Sequence, residues 1–512
     1  MISFILLIAC FIIFIYSIYV YLFSKPVNFP PGPPNVPFFG GYIFMLLLNY
    51  NHLHRAVNRI CKFYKTTVIG FYLGEWPCIV LNDSENVKKA LFHRDFDGRP
   101  DILMGRLRHP NLDLRGIFFT EGDIWHEQRR YTLRYLRDFG FGRRYDLLEK
   151  EIEIQIAQYL DIIKNGPKYP HENKYFKDGK VLLPMAFGPT FGNCFITCLL
   201  NEPIAREDMA DLYTAVDNAF IFQRKTDNYG RLYSLIEEVA KYFPVMSDYT
   251  VARDASVELY TYFTNLINEQ VKTFDETHER HFIDMYINKI RQAELNGDKE
   301  SHFSYDQLTL ACIDFSFPAL SALSTTITFL FQQICHESEV QQKIQAEIDH
   351  VVGQGRFPTL DDRINMPYTE ACLREIMRYE TLVPSGLPHK ALVDTEFLGY
   401  SIPKGTIILP ALDAAFHDTS VWERPNDFWP ERFLDASGKL CLSKDISLPF
   451  GAGKRLCAGE TFARNMLFLF TTAFLQAFSV RMPNGVKAYK FSENLTGTIR
   501  TTPDHWLQVT AR

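Results

Sequence analysis

"PFGAGKRLCAGETFARNMLFLF", residues 449–470, sets a cysteine between a glycine-bearing loop and an apolar run at helical spacing. Gly451 and Gly453 permit positive φ and the close approach of a flat ligand, and Gly459 lets the following helix pack tightly. A helix N-terminus beside Cys457, with Lys454 and Arg455 nearby, predicts a lowered thiol pKa. A thiolate there suits a metal ligand or a nucleophile, although no histidine follows at a spacing that makes an obvious base. A buried structural cysteine is the competing reading, free cysteine being among the most buried residue types.

The rest of the chain has the means to enclose such a residue. Of 512 residues, 47% are hydrophobic, including 43 Phe and 26 Tyr, enough for a large core with an apolar cavity inside it. A net charge of -6 argues against a nucleic-acid partner held by bulk electrostatics. The ten cysteines include no CxxC pair, which excludes an obvious zinc framework or dense disulfide scaffold and fits a reducing compartment. Ile2 to Phe23 runs 22 residues without a charge, long enough to span a bilayer core of about 30 Å. It ends in bulky "YVYLFSKP" without a cleavage-site pattern, so an uncleaved anchor over residues 1–24 is expected, with the body on the cytosolic side of Lys25. "FPPGPPNVPFFG", within a proline-rich hinge at 25–40, predicts a stiff extended connection to the body at 41–512.

Within the body, "TVIGFYLGEWPCIVLND" (67–83) reads as two strands around a turn, and "TEFLGYSIPKGTIILPAL" (395–412) alternates like strands. Residues 121–350 read as helical, with turns at "NGPKYP", "HENKYFKDGK" and "LNGDKE". A capping box at Ser304–Gln307 opens a long apolar helix reaching His336, interrupted by Pro318. The fold class is mainly α with small β-sheets, in a single large domain.

The spacing Phe450-x-x-Gly453-x-Arg455-x-Cys457-x-Gly459 resembles the haem-binding signature of cytochromes P450. Three further segments resemble that family in the right order. Glu375-x-x-Arg378, with Arg432 of "FWPERF", looks like its buried ion-pair trio, although an exposed salt bridge explains most such spacings. Trp125-x-x-x-Arg129 and His389 stand where the family contacts haem propionates, against the simpler readings of a core tryptophan and a structural histidine. The resemblance covers residues 29–512 and implies a haem-enclosing fold, with haem b carrying an iron bound to the Cys457 thiolate. It further implies that Phe450 tunes the sulfur and that Arg455 reaches a propionate. "PPGPP" after an apolar anchor is similar to the microsomal, reductase-dependent branch, of an animal, insect-like type close to the drug- and steroid-hydroxylating group. That branch implies residence in the endoplasmic reticulum membrane, NADPH-cytochrome P450 reductase as partner, cytochrome b5 as a further one, and an apolar small-molecule substrate.

The family carries small residues, then an acid and a threonine, on its central helix to deliver protons. Aligned through Asp314, Pro318 and Ala319 take the small positions, Ser321 the acid and Ala322 the threonine, so the pair is missing. A register with Ser324 and Thr325 in those roles shortens the interval to Glu375 from 53 residues to 50, a gap nothing else requires. Three functions remain: a monooxygenase whose protons come from Ser321, Ser324, water or substrate; a reductase-independent isomerase or dehydratase; or a non-catalytic haem or lipid binder. Substrate choice is expected in "DGRPDILMGRLRHPNLDLRGIFF" (97–119) and near residues 205–250, and reductase docking near Lys454, Arg130 and Arg137.

Overall fold

Apolar, β-rich runs around Gly74 form strands Val68–Leu73 and Trp76–Leu81, paired antiparallel with Gly70 opposite Ile79. The second of these takes Ile407–Pro410 as a parallel neighbour, and His389–Lys390 closes the far edge. His389 is thereby fixed opposite Ile408, at the rim of a four-stranded sheet. The computed structural model describes residues 24–512 apart from 38, 51, 227–241, 243, 246, 490–493 and 496–498, together with positions 15, 17 and 22. The anchor expected over 1–24 lies almost wholly outside the described residues. The proline-rich stretch lies against the sheet: Gly70 N donates to Pro31 O at 2.9 Å, and Lys25 Nζ donates to the carbonyls of Gly32 and Gly70 at 2.8 Å each.

The reading of 121–350 as helices joined by turns needs one correction. Strands Phe176–Lys177 and Lys180–Leu183 form a hairpin there, joined to His505–Ala511 and Phe478–Arg481 in a second four-stranded sheet. Strands of two and four residues are too short to show a period, and only pairing with the C-terminal strands makes them visible.

The helical body packs around the long central helix. Ser304 caps it, accepting from Gln307 N at 3.2 Å. The expected capping box is only half present, because the Gln307 side chain bonds both N and O of Gly116 instead, at 3.0 Å each. Among the described residues this helix alone is long and apolar enough to cross a membrane, yet 72% of its apolar window is buried in the protein, so it is the core element. Its second half is wholly buried from Leu323 to Ile334, and Phe331 contacts Phe187 and Phe474 there. At Pro318 the helix changes hand-hold: residues Tyr305–Phe317 are α-helical, Pro318–Ala322 make a π turn closed by Leu323 N on Pro318 O, and Leu323–His336 resume the α-helix. A proline offers no N–H to the carbonyl four residues before it, and widening the turn accommodates the loss.

The trio read from spacing is assembled. Arg378 donates to both oxygens of Glu375 at 2.8 Å and to the carbonyls of Phe416 and Pro425. Arg432 adds a contact at 3.0 Å, and Trp429 N donates at 2.8 Å. Arg378 and Glu375 have no solvent exposure, so this polar knot ties the end of helix Pro367–Tyr379 to the loop around residues 416–432.

Candidate active site

Cys457 sits at the mouth of a loop that its own backbone closes: its N–H donates to Phe450 O at 2.9 Å. Gly451 and Gly453 take φ of 73° and 67°, the left-handed region open to glycine. At Gly453 a Cβ would collide with the carbonyl oxygen of Leu91, so the close approach made there is to backbone. Helix Glu460–Ala477 starts beyond Gly459, whose missing side chain makes room for Phe141. The thiol has open surface toward a cavity that it lines, although it lies deep in the protein. Burial raises its pKa, against the Gly459 N–H and Arg129, which favour the thiolate. The sequence-based expectation of a lowered pKa is therefore corrected: Lys454 is 59% exposed and pairs with Asp97 at 3.2 Å, and Arg455 is held by other groups. Desolvation outweighs charges that point elsewhere.

Around the cavity rim stand three arginines that pair with no carboxylate within ion-pair distance among the described residues, Asp97 and Glu121 acting on Arg455 only from further off. Arg455 donates to the carbonyls of Asp97 and Thr120 at 2.8 and 2.9 Å, with its guanidinium 3.7 Å from the centre of the Trp125 ring. Arg129, one turn from Trp125 on helix Gly122–Asp138, donates to Leu456 O at 2.6 Å. Arg99, not singled out from the sequence, is buried beside them; it donates to Pro388 O at 2.7 Å while its Nε has no partner. Burial foremost, and then mutual repulsion, push Arg99 down to about 10 and Arg455 to about 9. His389 is buried too, its Nδ1–H donating to Phe96 O at 2.8 Å, and burial followed by the Arg99 charge lowers it to about 3. Guanidinium groups massed with an orphaned N–H at the edge of an apolar cavity call for carboxylates in that cavity. A thiol on its floor and this collar fit a flat metal macrocycle bearing acidic arms.

The opposite wall is the π turn. Pro318, Ala319, Ala322 and Thr326 line the cavity; Ser321 does not, and its hydroxyl returns to Phe317 O at 3.0 Å. Ser324 is likewise committed, to Leu320 O at 3.1 Å, and Thr325 touches Thr501 at 3.4 Å. The ungapped register thus brings Ala322 to the cavity, and the hydroxyl at this wall belongs to Thr326, bonded to Ala322 O at 2.9 Å. Asp314 ends the wall: it pairs with Arg108 and accepts from Ile117 N and Phe118 N at 2.6 and 2.9 Å. This brings Ile117 and Phe118, from the loop at 97–119, to the cavity. Of residues 205–250, none that is described lines it, and 227–241, 243 and 246 lie outside the described residues.

The site so built is that of a haem-thiolate protein. The family model "Cytochrome P450" matches residues 30–508, and the chain belongs to that family. It is 30% identical over 500 residues to "Cytochrome P450 2B19" of Mus musculus, covering 95% of this chain and 94% of that one. It is 32% identical over 490 residues to "Cytochrome P450 2C38" of Mus musculus, covering 94% of each. It is 30% identical over 478 residues to "Cytochrome P450 2J2" of Homo sapiens, covering 92% and 90%. Membership implies haem b with an iron bound to a cysteine thiolate, and a monooxygenase, an oxidoreductase.

Proposed function

We propose that the protein oxidises an apolar small molecule, a hormone-like lipid, steroid or foreign compound, with dioxygen and with electrons passed from NADPH by a reductase in the endoplasmic reticulum membrane. The observation that carries this reading is the cavity itself, with Cys457 on its floor, a cluster of buried arginines at its rim and apolar side chains on the facing wall. Haem bound there supplies dioxygen activation and oxygen-atom transfer. Cys457 would ligate the iron, and Phe450 and the Gly459 N–H would tune the sulfur. Arg99, Arg129, Arg455, Trp125 and His389 would hold the propionates, with Gly453 shaping the loop. His389 presents Nδ1–H to Phe96 O and is neutral, so its Nε2 is an acceptor and would meet a propionate through a bridging water.

Protons are the distinctive problem. Ser321, Ser324 and Thr326 all donate their hydroxyls to helix carbonyls, so at the wall Thr326 would offer water only its oxygen as an acceptor, beside the Asp314 carbonyl that Pro318 cannot satisfy. That deficit favours a second reading, an isomerase or dehydratase that needs no reductase. Lys454, Arg130 and Arg137 are exposed and offer positive charge to an acidic reductase, with cytochrome b5 as a further donor. Residues 1–24 would anchor the chain and 25–40 join the anchor to the body at 41–512.

The test is incubation with reductase, NADPH and a lipid extract under isotopically labelled dioxygen, with peroxide followed in parallel. Label in a product is the expected result. Unlabelled product formed without NADPH would establish the second reading, and NADPH consumed only as peroxide would leave a haem binder without productive proton delivery.

A further inference from the structure

A buried carboxylate at the cavity has no role in holding a cofactor or the fold's main ion-pair knot. Glu380 caps helix Pro367–Tyr379, is 4% exposed and lines the cavity. Its Oε2 accepts from Arg500 Nη2 at 2.8 Å and from Asn494 Nδ2 at 3.4 Å. Among the described residues nothing donates to Oε1. Arg500 and Asn494 are each 3% exposed, and each keeps an unpartnered atom, Nε of the arginine and Oδ1 of the asparagine. Arg500 and Asn494 stand behind the wall, the Arg500 N–H donating to the carbonyl of the lining residue Leu382 at 2.7 Å, and of the three residues Glu380 is the one that lines the cavity.

A carboxylate oxygen without a donor at a cavity it lines implies a partner there, since such groups are rarely left unpaired. That oxygen only accepts. A hydroxyl can donate to it. A ketone or ether only accepts, a carboxylate is repelled by Glu380, and an ammonium would bring a second charge to an apolar wall. The neighbouring wall, from Leu382, Val383, Leu323 and Ile499, is apolar.

We propose that Glu380, held in place through Oε2 by Arg500 and Asn494, anchors through Oε1 a hydroxyl group carried by an otherwise apolar substrate. This rests on the reading of the cavity as a site for apolar small molecules, and it adds the polar feature by which a substrate is chosen and oriented. The surroundings suit it: burial foremost, against Arg500 and with Asp413, raises Glu380 to about 7, so the carboxylate is present at and above neutral pH.

The experiment measures equilibrium binding to the holoenzyme, by the ligand-induced change in haem absorption, of two matched pairs: 1-dodecanol against its methyl ether, and pregnenolone against its 3-methyl ether. Wild type should bind the alcohol of at least one pair about tenfold more tightly than the ether. Glu380→Gln should remove that preference without weakening the ether, because Arg500 will hold the amide oxygen and leave NH2 toward the ligand. A second measurement needs no variant: the preference should grow as pH is raised through about 7, since the protonated acid can donate to an ether as well as to an alcohol. The other groups near Glu380 are Arg500, Asp413, the exposed Arg55, and His54 and His417 beside Asp413; the pH response must survive His417→Asn. A preference below about threefold in wild type, or one unchanged in Glu380→Gln or across pH, overturns the proposal; a resident water in place of a ligand hydroxyl would give this result. If ethers bind and alcohols bind no better, only this inference fails, whereas binding of neither pair removes the apolar-cavity reading with it. Turnover is not used, so a failure of the monooxygenase reading stays separate.

Discussion

Glu375 and Glu380 lie on the last turns of one helix, both buried and both facing an arginine, yet they are spent differently. Glu375 meets Arg378, Arg432 and a backbone N–H, so both of its oxygens are engaged and the group serves to tie segments together. Glu380 engages one oxygen and turns toward the cavity. Burial and an ion pair are therefore not enough to tell structure from function in this molecule; the unused hydrogen-bonding capacity does so.

The contrast breaks first if Glu375 can lose a partner cheaply. Arg378→Ala leaves a fully buried carboxylate short of its main donor and should cost about 3–5 kcal/mol, read as a collapse in denaturant midpoint or the absence of folded holoenzyme. Retention of near-wild-type stability would erase the distinction. Glu380 sharpens it through pH. Its folded pKa, about 7, lies above the ordinary 4.5, so the native state binds the extra proton and the contribution of Glu380 to stability falls as pH rises from about 4.5 to about 7. Glu380→Gln should remove that contribution, a difference from wild type of about 3 kcal/mol at most between the ends of the window, in unfolding curves taken at stepped pH. An unchanged slope would place the carboxylate in a more solvated setting.

Asp314 shows that a cavity-lining carboxylate can also be structural, since Arg108 and two backbone N–H groups occupy it. Asp314→Asn should cost about 2 kcal/mol and speed hydrogen exchange over the loop at 108–119, with little change elsewhere. The smallest effect is expected at exposed cations. Lys454→Glu combined with Arg130→Glu and Arg137→Glu should leave stability within about 1 kcal/mol while slowing reductase-driven haem reduction severalfold at low salt. An equal rate at low salt would move the docking face away from Cys457.

Much of this was legible because short-range patterns carry it. Trp125 and Arg129 share a helix face by a four-residue spacing, and Glu375 and Arg378 meet by a three-residue one. Arg99 was missed because nothing local distinguishes it from any arginine before a proline; it joins the collar only when the loop at 97–119 meets the Cys457 loop, where Arg455 bonds the Asp97 carbonyl, and the segment before His389, where Arg99 bonds Pro388. The hairpin at 176–183 was hidden by its brevity.

By itself the sequence determined the haem-thiolate signature, the ion-pair trio, the long apolar helix broken at Pro318, and the absence of the usual acid and threonine at Ser321 and Ala322, all features of spacing along one segment. Tertiary structure alone decided the direction of the Cys457 pKa, the turning of the Ser321 and Ser324 hydroxyls back onto helix carbonyls, and the meeting of Glu380 with Arg500, residues 120 positions apart (500 minus 380). The reason is physical: burial and unsatisfied hydrogen bonds are properties of the space around a group, and distant segments supply that space.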